Sequence, residues 1–113
     1  MLKRKQFEKC VNYLKEVDEA ISLINAKYGL DQNDMIYSYI REKVKNGTKQ
    51  YQLCKHRMCY MPDRQWNLNV YFYSEDNNEP ERTKRYFAGT AEELWEKLVD
   101  AKIAKRQEGQ NNA

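Results

Sequence analysis

The chain is poor in the residue types on which most catalytic sites are built, with one histidine, four glycines and two prolines in 113 residues. None of the four glycines belongs to a glycine-rich phosphate loop. His56 has no serine or cysteine nucleophile that the sequence places beside it. Catalysis is therefore not expected, and neither a cofactor nor a small-molecule substrate is indicated. No apolar run approaches the roughly 18 residues needed to cross a bilayer, so no membrane partner is expected. The opening stretch MLKRKQFEKC is basic with no apolar run behind it, which argues against a secretory signal and for a cytoplasmic protein. Cys10, Cys54 and Cys59 are an odd number of cysteines and fit reduced thiols better than a disulfide framework. With His56 they make four potential ligands, but Cys59 points away from Cys54 and His56 on a regular strand and the spacing matches no common zinc motif, so no metal is expected.

What the chain does contain is the balance of a folded protein, with 41% hydrophobic and 33% charged residues. Its length suits one domain, assigned to residues 1–106, with 107–113 (QEGQNNA) expected to be a disordered tail. Nine tyrosines stand against three phenylalanines. Tyrosine can lay its ring on a partner while its hydroxyl stays in water, so this excess suggests a contact surface.

Phe7, Val11, Leu14, Val17, Ile21, Ile24 and Tyr28 recur at steps of three and four, which predicts a helix over 6–28 with Gly29 as its cap. Met35, Ile36, Tyr39, Ile40 and Val44 predict a second helix that starts after Asp31 or Asn33 and ends at Asn46-Gly47. From Thr48 the period becomes alternating and predicts three strands, about 49–60, 65–74 and 82–88, joined by MPDR (61–64) and by the acidic EDNNEPE (75–81). Thr90 with Glu93 three residues on opens a last helix, in whose final turn Lys102, Lys105 and Arg106 are expected. Its stripe of Leu94, Leu98 and Ala101 should bury Trp66, Leu68, Val70 and Phe72. The expected fold is thus α+β: two N-terminal helices, a three-stranded antiparallel sheet, and a C-terminal helix packed on one sheet face.

In QWNLNVYFYSE (65–75) the alternation puts Asn67, Asn69, Tyr71 and Tyr73 on the face opposite that helix. Register decides what joins them. From the first strand it is either Gln52, Cys54, His56 and Met58 or Lys55 and Arg57; from the third, either Arg82, Lys84 and Tyr86 or Thr83, Arg85 and Phe87. The sheet segments 48–74 and 82–88 hold seven basic residues, Lys49, Lys55, Arg57, Arg64, Arg82, Lys84 and Arg85, against one acid, Asp63. A basic layer on an otherwise acidic body is the distribution of a surface that meets phosphate. Lysine and arginine can hold phosphate, asparagine can read base edges, and tyrosine can stack.

Residues 51–106 carry a Trp opening the second strand (Trp66), a basic third strand ending in an aromatic (ERTKRYF) and a Thr-Ala-Glu-Glu helix start (GTAEELW). This pattern resembles the three-strand-plus-helix DNA-binding module of tyrosine integrases of mobile elements and of plant ethylene-response factors. The two leading helices have no counterpart in it. The resemblance implies insertion of the sheet into the DNA major groove, with Arg57, Arg64, Asn67, Asn69, Tyr71 and Lys84 at the contact. The expected binding set, combining resemblance and face, is Lys55, Arg57, Arg64, Asn67, Asn69, Tyr71, Tyr73, Arg82 and Lys84. The expected function is that of a small nucleic-acid-binding protein of phage or mobile-element type with duplex DNA as partner. The alternative is a protein-binding module such as a phage-encoded inhibitor or adaptor.

Overall fold

The computed structural model describes residues 1–58, 61–76 and 79–106. Cys59 and the expected tail 107–113 lie outside the described residues. The chain runs β1 (Leu2–Lys3), α1 (Arg4–Tyr28), β2 (Ile36–Val44), β3 (Gly47–Lys55), a 3-10 turn (Pro62–Arg64), β4 (Trp66–Ser74), β5 (Glu81–Ala88), α2 (Ala91–Asp100) and β6 (Ala104–Lys105).

In α1, Phe7, Cys10, Val11 and Leu14 are buried at helical spacing. Gly29, at φ +65°, closes the helix in the left-handed conformation that glycine adopts without steric cost. The predicted stripe does not stay buried to the end. Val17 and Ile21 are half-buried, and Leu23, Ile24, Tyr28 and Leu30 are exposed.

The physical reason is the element that follows. Residues 36–44 are a strand, not a second helix, so they offer α1 no antiparallel helix to lie against along its full length. The burial of β2 alternates between half-buried and exposed at every step. Its Ile36, Tyr37, Tyr39, Ile40 and Val44 are β-branched or aromatic residues, which suit a pleated surface better than a helix. Lys45 and Asn46 make the two-residue turn of a hairpin, with Asn46 at φ 69°. Asn46 takes the left-handed conformation that asparagine tolerates in turns, and Gly47, where a helix end was expected, is the first residue paired in β3.

The sheet is therefore four-stranded and antiparallel, in the order β2-β3-β4-β5. Gly47 sits where a side chain has no room, since a Cβ there would lie 2.1 Å from the Tyr73 carbonyl oxygen. Between Val70 and Tyr71 the pairing with β5 slips, so that Val70 faces Lys84 and Tyr71 faces Arg82. Thr83 is the extra residue of this bulge and donates its hydroxyl to the Val70 carbonyl at 3.1 Å.

Both helices lie on the same side of the sheet, α1 against β2 and β3, and α2 against β4 and β5. Phe7 and Trp95 meet across the helices with ring centroids 5.2 Å apart. Beneath them Tyr51, Leu53, Trp66, Leu68, Val70 and Ala88 supply the sheet's share of the core. Thr90 caps α2 as expected, its hydroxyl accepting the Glu93 N–H at 3.1 Å. The helix stops at Asp100, before the residues assigned to its last turn. Lys102 turns left-handed at φ 60°, and Ala104–Lys105 pair in parallel with Leu2–Lys3. Burial of Ala104 and Leu2 in this two-stranded clasp wins over continued helix, and Ala101 is exposed.

Candidate nucleic-acid interface

Among the described residues neither α1 nor α2 lies on the other side of the sheet. Cross-strand pairing places its residues in four rungs. Tyr37, Cys54, Asn67 and Phe87 form one; Tyr39, Gln52, Asn69 and Arg85 form the next. Arg41, Gln50, Tyr71 and Arg82 follow, then Lys43, Thr48 and Tyr73. The bulge at Thr83 is what brings Arg82 and Arg85, three residues apart, to the same face.

The middle of this face is an amide layer. The Gln52 side-chain N–H donates to the Tyr39 hydroxyl at 3.2 Å, and Asn69 Nδ2 donates to Gln52 Oε1 at 3.0 Å. Arg41 Nε donates to Gln50 Oε1 at 3.0 Å. Asn67 and Asn69 are buried between these neighbours, and among the described residues Asn67 Nδ2 and Asn69 Oδ1 meet no hydrogen-bond partner. Cys54 lies in the same layer, and burial pushes its thiol up to about 11 against the opposing pull of Arg85 and a hydrogen bond from Asn69.

Around the amides stand rings and cations. Tyr37 and Tyr39 are 44% and 52% exposed, with centroids 6.5 Å apart and planes within 20°. Tyr71, Tyr73 and Phe87 are half-buried. The Phe87 ring carries two guanidiniums, Arg85 at 4.7 Å and Arg64 at 5.0 Å from its centre. Arg41, Lys43, Arg64, Arg82 and Arg85 are all exposed. Among the described strand residues of these rungs there is no carboxylate.

The sequence-predicted residues divide accordingly. Asn67, Asn69, Tyr71, Tyr73 and Arg82 share this face, and Arg64 joins them through Phe87. Lys84 does not, because it pairs with Val70 on the helix side. Lys55 and Arg57 are likewise displaced from the expected set, both held by Asp18 of α1. Lys55 Nζ lies 2.9 Å from Asp18 Oδ2 and Arg57 Nε 2.8 Å from Asp18 Oδ1. The Arg57 side chain is only 5% exposed, and it also donates to the Ser22 hydroxyl and the Gln32 carbonyl. Tyr37, Tyr39, Arg41 and Lys43 were missed because their segment reads as a helix. The β-branched and aromatic content of 36–44, followed by turn-forming Asn46 and Gly47, was the signal that would have found them.

Burial opposes ionisation of Asp18, but hydrogen bonds and charge from Lys55 and Arg57 outweigh it and hold the carboxyl below its usual range. The stabilisation is present above the ordinary aspartate value of 3.8 and is lost only as the pH falls below it through the folded-state value. Asp18→Asn is expected to cost about 2 kcal/mol, since it strands a buried guanidinium. A thermal melt would then show a midpoint roughly 8 °C or more lower; an unchanged midpoint would contradict the anchoring role.

Among the described residues no group of three or more His, Cys, Asp or Glu side chains is placed to hold a metal. Cys10 packs in the core on the helix side, whereas Cys54 faces the other way across the sheet. No helix is long and apolar enough to cross a membrane. The fold and site together define an α+β protein with a cationic, tyrosine-lined sheet face on which neither α1 nor α2 packs. Compared with protein-family models, with curated proteins and with solved structures, the chain matches none.

Proposed function

We propose that the protein binds nucleic acid through the uncovered face of its sheet. The observation that carries this reading is the concentration of Arg41, Lys43, Arg64, Arg82 and Arg85 around exposed rings, with no carboxylate among the described strand residues beside them. Cations so arranged repel one another in the free protein, and a polyanion relieves that repulsion. The rings between them supply contact area without charge, which favours bases over a simple anion. Duplex DNA, the partner implied by the integrase-like pattern, and unpaired strands both offer phosphate to such a face.

Salt tests the proposal. Binding of fluorescently labelled nucleic acid, followed by anisotropy, is expected to weaken by orders of magnitude between about 50 and 200 mM salt, because phosphate contacts release condensed counterions. Absence of binding at the lower salt concentration would discard the reading. The second reading is a protein-binding module, favoured by one observation, the exposed Leu23, Ile24, Tyr28 and Leu30 at the far end of α1. A protein partner held there would show little dependence on salt.

A further inference from the structure

We infer that the ligand of this face is a single strand of RNA, its bases stacked on Tyr37 and Tyr39 and its phosphates held by Arg41, Arg82 and Arg85. The inference rests on the nucleic-acid reading and narrows it. Width is the first argument. Four strands spaced about 4.8 Å apart put the outer strand axes roughly 14 Å from one another before any side chain is added, whereas the DNA major groove is about 12 Å wide and takes a helix or a two-stranded ribbon. A three-stranded layer is narrower by one spacing; the addition of β2 is what makes this face too broad to enter.

Ring placement is the second argument. Tyr37 and Tyr39 lie on the outermost strand, half-exposed and nearly parallel. A duplex buries its base faces against one another and presents edges and phosphates, so these rings would find nothing flat to meet. An unpaired strand presents base faces, and a four-stranded sheet with rings on its bare side is one of the shapes that hold them. Arg64, stacked on the half-buried Phe87, offers a guanidinium plane for the same purpose.

The choice of RNA over DNA comes from two neutral polar side chains. Gln52 is half-buried between the rings and the arginines, and Thr48 is half-buried at the end of the same strand. Gln52 already gives one Nε2 hydrogen to Tyr39 and one Oε1 lone pair to Asn69, which leaves it one donor and one acceptor, and the Thr48 hydroxyl carries both, as does the ribose 2′-hydroxyl that DNA lacks. A surface meant only for phosphate would gain more from cations at these positions.

The test uses the whole chain and four labelled probes of one mixed 12-nucleotide sequence: RNA strand, DNA strand, RNA duplex and DNA duplex, titrated at about 50 mM salt. The RNA strand is expected to bind at least about tenfold more tightly than either duplex, and more tightly than the DNA strand. Tyr37→Ala with Tyr39→Ala should weaken that binding by about tenfold or more per stacked base, whereas the Phe pair at the same positions should retain it. Circular dichroism melts confirm that the variants stay folded. A duplex bound as tightly as the strand, a DNA strand bound more tightly than RNA, or indifference to the alanine pair would each overturn the inference while leaving nucleic-acid binding intact. Failure of all four probes would overturn both.

Discussion

Arg41→Glu, Arg82→Glu and Arg85→Glu introduced together are expected to weaken nucleic-acid binding at least about 100-fold near 100 mM salt, because three phosphate contacts are lost and three repulsions are added. The face carries five cations, Arg41, Lys43, Arg64, Arg82 and Arg85, so the variant keeps Lys43 and Arg64 against three carboxylates. The fold should tolerate the change. All three arginines are exposed; Arg41 touches Gln50, and Arg85 lies over the Phe87 ring and near the Cys54 thiol. Exposed substitutions of this kind usually change stability by less than about 1 kcal/mol. A control distinguishes the face from net charge in general. Lys5→Glu, Lys9→Glu and Lys15→Glu change the total charge equally, at exposed positions of α1 on the opposite side. If anisotropy showed both triple variants equally impaired, the open face would have no special part in binding.

Above pH 9 the protein should lose stability steeply, and Cys54 and Tyr51 are the groups responsible. Burial pushes the Cys54 thiol from 9.0 to about 11. Burial, then the negative charge of Glu42 and its hydrogen bond, pushes the Tyr51 phenol from 10.0 to about 12. Both groups hold their protons in the folded chain over a range in which the unfolded chain has released them. Their contribution is fully present below the unfolded values and disappears as the pH rises through the folded ones, at about 1.4 kcal/mol per pH unit per group. Summed over both, the loss by pH 12 is on the order of 5 kcal/mol, comparable to the whole stability of many small domains. Urea denaturation from pH 8 to 11 should show a midpoint that falls from pH 9 upward. In Cys54→Ala the decline should start about one unit later, with Tyr51 alone remaining. A midpoint constant to pH 11 would mean that neither group is buried as described.

Legibility in the sequence varied with how local the cause was. The alternation of Trp66 to Ser74, the stripe of Phe7 to Leu14 and the Thr90 cap each arise within about a turn or a strand, and each is found where its spacing places it. Residues 36–44 failed because nine residues can satisfy two periods: Ile36, Tyr39, Ile40 and Val44 fit a helical stripe, while Ile36, Ser38, Ile40, Glu42 and Val44 fit a strand. The hairpin with β3 decided between them, since it satisfies the backbone of β2 along its length and gives Ile36 and Ile40 a core to join. The end of α2 failed for a related reason. Helical propensity through residue 106 competes with a clasp to Leu2–Lys3 that lies about a hundred residues away in the chain.

By itself the amino-acid order determined the mixed α+β character, the polar and apolar faces of the central strand, and the positions of most of the cations, because side-chain periodicity and turn chemistry act over a few residues. Only the tertiary structure decided which cations stand together. Asp18 draws Lys55 and Arg57 to the helices. Thr83, one residue inserted in β5, sends Lys84 to the helix side while bringing Arg82 beside Tyr71 on the other. Strand register and helix placement are settled by contacts between distant segments, and a shift of a single residue exchanges the two sides of a strand.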